Sequence, residues 1–177
     1  AVGIKFTKKR RIPVPITLVH LGILAPLNHF FPKKVNALSF LLVNLWIDAG
    51  AIAYVGFNTY WGPLHGPESH SFLASLAISS IVGVVGMLWY VLQEIRYPGT
   101  CPTSAILGWY TGAFLGGTSH ILLDMLVHSE MQPLAPWVDG NPFYCDAMVP
   151  LSTVLVVPTA WFILQLVSGK AVAPGRT

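Results

Sequence analysis

Charge is scarce in this chain. Lysine, arginine, aspartate and glutamate make up 10% of its 177 residues, against about 25% in a soluble domain. Together with 54% hydrophobic residues and a mean hydropathy of +0.63, that shortage excludes an ordinary water-soluble domain and indicates a polytopic membrane protein. The net charge of +3 gives no indication of nucleic acid as a partner, because the basic residues gather at the ends of apolar runs. Cysteine is nearly absent. Cys101 and Cys145 fall in different loops, so no disulfide is expected, and they carry no metal-ligand spacing. Internal repeats and low-complexity segments are lacking, and at this length there is room for one membrane domain, residues 1–177, and no separate soluble unit. The basic start followed by an apolar run has the look of a signal peptide. His20, Pro26, Asn28 and His29 interrupt that run and no small-residue cleavage site follows, so the segment is expected to stay in the mature fold.

What is present is a series of apolar segments. Residues 1–13 form a basic arm, and residues 14–31 are apolar but short and broken by prolines. A full span needs ~20 apolar residues, which four segments supply: 35–57, 71–93, 104–127 and 148–168. The last has a possible kink at Pro158. If 14–31 crossed the membrane, Lys33 and Lys34 would lie opposite the basic arm. If it is re-entrant or a partial helix, all ten basic residues fall on one side, and loops 58–70 and 128–147 contain none. The positive-inside rule selects the second arrangement. The expected fold is therefore an all-α, polytopic membrane helical bundle. It has four full spans plus a short N-terminal re-entrant or partial helix, with both termini cytoplasmic. Loop 128–147, with acids and prolines but no bases, should be irregular and cover the outer end. Trp61, Tyr97 and Trp137 read as interface anchors and His29 as an interfacial residue.

Within this frame the ionisable residues gather. His120, Asp124 and His128 follow at steps of four, which on a helix puts them on one stripe. Groups of this kind are costly to bury in an apolar segment unless something binds them. In the four-span topology Asp48, His65, His70, His120, Asp124 and His128 share one depth, towards the non-cytoplasmic face, and His20 can reach it from the re-entrant tip. Imidazole with carboxylate suits a divalent metal, zinc first among them, and the set suffices for one or two ions. Asp48, His65, His70, His120 and Asp124 are expected to converge, with His20 and His128 serving a second ion. Glu68, between His65 and His70, reads equally as a catalytic general base and as a solvated loop residue. Gly112, Gly116 and Gly117 are expected to allow close helix packing.

The order Thr17…His20-Leu21-Gly22, Ile47-Asp48, His65-Gly66…His70-Ser71, Gly117-Thr118-Ser119-His120-Ile121-Leu122-Leu123-Asp124 and His128…Gln132-Pro133-Leu134 resembles the YdjM-like predicted membrane-bound metal-dependent hydrolases. The resemblance covers roughly residues 15–145 and implies a chemistry class without a substrate. Many members carry a second acidic residue shortly after the first-span aspartate, where this chain has Ala49 and Gly50. The ligand order is also similar, more weakly, to that of zinc-dependent phospholipase C and the P1-type nucleases. That similarity implies Asp48, His65 or His70, His120 and Asp124 around one zinc, with His20 and Asp124 reaching a second. The C-terminal His-x-x-x-Glu of those enzymes has no counterpart here.

Two functions follow from these residues. One is a membrane-embedded metal-dependent hydrolase acting on a phosphoester of a lipid-like substrate with metal-activated water. The other is a non-catalytic membrane subunit with a structural or degenerate metal site, partnered by other membrane subunits. An open coordination position separates the first from the second.

Overall fold

The computed structural model describes residues 20–31, 34–57, 64–145 and 154–168, and these hold helices and no strand. A 3-10 turn, Leu21–Ile23, leads into α1, Leu24–Phe30. There follow α2, Ala37–Ile47; α3, Ala49–Phe57; α4, Phe72–Arg96; α5, Thr103–Val127; and α6, Val156–Val167. The starts of α2 and α4 are set by capping side chains. Asn36 accepts from Ser39 N at 3.0 Å and Ser71 from Ala74 N at 3.1 Å, each satisfying an otherwise unpaired helical N–H. Between α4 and α5 the Glu94 carboxylate accepts from the N–H groups of Gly99 and Cys101, at 2.6 and 3.0 Å, tying the turn together. Gly99 takes φ +83° there, the left-handed conformation that glycine adopts without a steric cost.

α5 is the central helix, packed against both α2 and α4. Its buried stripe runs Gly108, Gly112, Gly116, His120, Asp124 at steps of four. The glycines bring α2 close: a Cβ at Gly112 would sit 2.2 Å from the Asn36 carbonyl, and one at Gly116 2.8 Å from that of Phe40. Gly117 does the same towards α4, with Ser75 and Ser79 Oγ both 2.5 Å from a would-be Cβ. The register follows from these contacts. Asn36 N bonds to Gly108 O at 2.9 Å, Phe40 meets Gly116 and Asn44 meets His120, so α2 and α5 run parallel. On α4, Ser75 and Ser79 meet Gly117 while Gly86 meets Trp109, so α4 runs antiparallel to α5. The C-terminal ends of α2 and α5 and the N-terminal end of α4 thus share one end of the bundle. The N-terminal turn and α1 pack on α6, where Gly22 lies against Leu155 O and Thr159. Leu21, Leu24, Phe40 and Phe162 form the core of that contact.

The helices match the four expected spans only in part. Segment 71–93 is α4, the one helix among the described residues that is by itself long and apolar enough to cross a membrane. It shows Leu73, Leu76, Ile81, Val85, Leu88 and Leu92 on its exposed face. Segment 35–57 is two helices, interrupted for one residue at Asp48, where aspartate and nearby Gly50 are weak helix formers. Segment 104–127 is a 25-residue helix, its apolar character diluted by glycines and by His120 and Asp124. Of 148–168 the described part is 154–168, and Pro158 stands in the first turn of α6, where a missing N–H costs no internal bond. Of 14–31 the described part is 20–31, which holds the 3-10 turn and α1, ten residues and ~15 Å long at helical rise. The basic arm 1–13, Lys33, Trp61 and Asp146 lie outside the described residues. Cys101 and Cys145 are free.

Candidate metal centre

At the shared end of the bundle Asp48, His70, His120 and Asp124 are buried, and one ligand atom of each lies within 4.8 Å of all the others. The α2 stripe Phe40, Asn44, Asp48 delivers the first, because its buried residues recur at steps of four against α5. His70 stands just before the α4 cap, its N–H bonded to Gly66 O at 2.9 Å. Asp48 Oδ1 lies 3.2 Å from His70 Nε2 and 3.3 Å from His120 Nε2. Asp124 Oδ2 lies 3.1 Å from His120 Nε2 and 3.6 Å from His70 Nε2, while its Oδ1 faces His20 Nε2 at 3.2 Å. His20, from the N-terminal turn, is 1% exposed and stacks on His120 at 4.1 Å.

Two residues orient these imidazoles. Asn44 Nδ2 donates to Phe40 O at 2.8 Å, which turns Asn44 Oδ1 to His120 Nδ1 at 2.9 Å. A carbonyl can only accept, so the Asn44 amide is not free to flip, and His120 carries a proton on Nδ1. Its Nε2 then faces two carboxylates and makes no hydrogen bond among the described residues. A lone pair aimed at two anions is repulsive; the arrangement requires a proton or a metal cation between them. Among the described residues His20 Nδ1 and Nε2 also make no hydrogen bond, the 3.2 Å approach of Nε2 to Asp124 having the distance but not the angle. Ser69 Oγ lies 2.7 Å from His70 Nδ1 and orients that ring as Asn44 orients His120. Orphaned buried imidazole nitrogens beside two carboxylates are the donor set that a divalent cation of the zinc class takes. The cluster could hold such an ion.

A second group lies outside the first. His65, His128 and Glu130 again offer ligand atoms within 4.8 Å of one another. His65 Nδ1 is 3.0 Å from Glu130 Oε1, and His128 Nδ1 is 3.5 Å from the same oxygen. The His65 and His128 rings stack at 3.8 Å. Burial, then the nearby His128 and His70, hold the His65 imidazole down at about 4. Partial burial would raise the Glu130 carboxyl, but a backbone hydrogen bond and the adjacent His128 and His65 bring it below its ordinary range.

The seven residues expected as ligands therefore gather in one region but divide differently. His65 stands with His128 rather than in the buried group, and His20 belongs to the buried side instead of joining His128. Glu68 is exposed and falls in neither group; the carboxylate that meets the outer histidines is Glu130. Asn44 was legible in principle, four residues before Asp48 on the same helical stripe. Glu130 had only its nearness to His128 as a signal. Loop 128–145 is irregular and turns back on the site, with Met131 buried, Phe72 N bonded to Pro133 O and Asn141 Nδ2 donating to the carbonyls of Met125 and His128. His29, exposed, packs edge-on to Phe30 and near Trp161.

No curated protein and no solved structure matches the chain. The YdjM inner membrane protein family matches residues 27–176, a range that takes in all of these candidate ligands except His20. By that match over most of its length, this chain is a membrane protein that belongs to the YdjM inner membrane protein family.

Proposed function

We propose that the chain is a membrane-embedded metal-dependent hydrolase acting on a phosphoester of a lipid-like substrate, with zinc as its ion. The observation that carries this reading is His120 Nε2, buried, locked in its tautomer by Asn44, and aimed at Asp48 and Asp124. A divalent ion held by Asp48, His70, His120 and Asp124 would supply water activation and neutralise phosphoryl charge. The residues themselves do the positioning: Asn44 and Ser69 fix the two rings, and the two carboxylates bring the balancing negative charge. Glu68, exposed on the loop, is the proposed proton carrier. A lipid-like substrate is supported by the apolar outer faces of α4 and α6, which would leave the site at the level of lipid headgroups. The second reading, a structural metal in a non-catalytic subunit, is favoured by one feature: four buried donors are enough to close a tetrahedral ion.

Metal analysis with a hydrolysis assay separates the two. Detergent-purified protein should contain zinc and cleave a chromogenic phosphodiester presented in micelles, and chelation should abolish cleavage. Glu68→Gln should keep its metal and slow turnover by about 100-fold or more, the scale of general acid–base catalysis. Metal retained with no hydrolysis of any phosphoester would favour the structural reading. Hydrolysis indifferent to chelator would overturn the metal mechanism.

The same proposal includes four spans, with both termini cytoplasmic and the site towards the outer face. It is supported by the parallel run of α2 and α5, with α4, which lies between them in the chain, antiparallel to α5. The native cysteines test it. With Cys101→Ser, the remaining Cys145 should react with a membrane-impermeant maleimide added outside. With Cys145→Ser, Cys101 should react only after the membrane is opened. Labelling of both from one side would sink the topology.

A further inference from the structure

His65, His128 and Glu130 are left over once the buried group is assigned, and they have a different character. His65 comes from the loop before α4, His128 closes α5, and Glu130 lies two residues further into the returning loop. Two imidazoles, one from each of two separate loops, converge on one carboxylate oxygen, Glu130 Oε1. His65 forms a hydrogen bond to it, whereas His128 Nδ1 at 3.5 Å does not. One imidazole would satisfy the carboxylate; the second nitrogen facing the same point is surplus to that need. Access differs too. The side chain of Glu130 is 59% exposed and that of His128 17%, against 0% for His70 and His120. A hydrated ion can reach this group and keep more of its water than it could at the buried group. The two groups also touch. His128 Nε2 is 3.9 Å from Asp124 Oδ1, and the rings of His65 and His70 meet edge to face at 4.9 Å.

We propose that His65, His128 and Glu130 bind a second, exchangeable divalent cation of the imidazole-and-carboxylate class, zinc or manganese, beside the buried ion and next to Asp124. The proposal deepens the reading above by giving the mouth of the same site its own ion. With three protein donors and partial exposure, the outer ion is held more weakly than the buried one and keeps coordination positions open to water or a phosphoryl oxygen. Paired ions of this kind clamp both oxygens of an in-line displacement. The buried set, with four donors, would leave its ion fewer such positions than the outer one.

Binding, rather than turnover, tests this. Detergent-purified full-length protein is stripped with chelator and equilibrated by dialysis against increasing Zn2+, and bound metal is counted per chain. Wild type should take up two equivalents, of which a weak chelator removes only the second. Glu130→Gln, conservative at an exposed position, should weaken the second equivalent by at least ~10-fold and leave the first unchanged. His128→Ala should do the same. The metal-free melting temperature of each variant reports on folding, and Glu130→Gln decides the matter if His128→Ala does not fold. A single, tight equivalent in wild type would overturn the proposal, as would two unchanged equivalents in folded Glu130→Gln. Failure of the buried site looks different: the tight equivalent is then missing from wild type, or survives Asp124→Asn, whatever happens to the weaker one.

Discussion

Asp124→Asn is expected to abolish tight metal binding and any hydrolysis while leaving the helices folded. Asp124 is the point where the histidines meet. Its Oδ1 lies 3.2 Å from His20 Nε2 and 3.9 Å from His128 Nε2; its Oδ2 lies 3.1 Å from His120 Nε2 and 3.6 Å from His70 Nε2. Asparagine keeps the shape but replaces an anionic oxygen with an NH2 group, which cannot ligate and would oppose any imidazole nitrogen that carries a proton. It also removes one of two buried negative charges that balance the ion, the other being Asp48. Loss of a group that only orients a ligand costs about 10–100-fold in metal affinity, so loss of a ligand should exceed about 100-fold. The metal content of purified protein after dialysis reads the first effect. Thermal melting with and without chelator gives an independent readout: wild type should lose stability when stripped, and Asp124→Asn should be indifferent. A folded Asp124→Asn protein with the wild-type metal content would remove Asp124 from the site.

Gly112→Ala should be strongly damaging although it lies away from the site. Its Cβ would meet the backbone oxygen of Asn36 at 2.2 Å and Ser39 Oγ at 2.3 Å. Neither can swing away easily. Asn36 caps α2 and its N–H is bonded to Gly108 O, while Ser39 donates to Asn36 O at 3.0 Å. The helices must therefore separate, at the ~1–3 kcal/mol typical of overpacking. The alanine's better helix propensity, worth about 0.5–1 kcal/mol, does not offset that. Separation at Gly112 also loosens the register that holds Asp48 and Asn44 against His120, so metal affinity should fall along with the melting temperature. Gly50→Ala is the control. A Cβ there meets nothing within 4 Å, and the variant should match or slightly exceed wild type. Equal melting temperatures for Gly112→Ala and wild type would show that α2 and α5 are not held this closely.

Much of this was legible because helical periodicity is a local property. The steps of four from His120 to Asp124 and His128 place those residues on one face whatever surrounds them, and α5 runs over 103–127 where its apolar run predicts 104–127. The scarcity of charge, and the gathering of histidine and aspartate at one end of several apolar segments, likewise needed no coordinates to be seen. The division of those residues into two groups was a tertiary matter. Whether a histidine faces Asp48 or Glu130 depends on how loops 64–70 and 128–145 return to the bundle, and local sequence periodicity carries no information about a loop's path. Asn44 could be placed beside Asp48 by spacing alone. Its role appears only when Gly112 and Gly116 let α2 approach α5, bringing an amide from one helix within 2.9 Å of an imidazole on another. The chain by itself dictated the helices, their apolar faces and the kind of ligands they carry. The tertiary structure decided which ligands meet, because the register between helices is set by contacts between residues as far apart in sequence as Asn44 and His120.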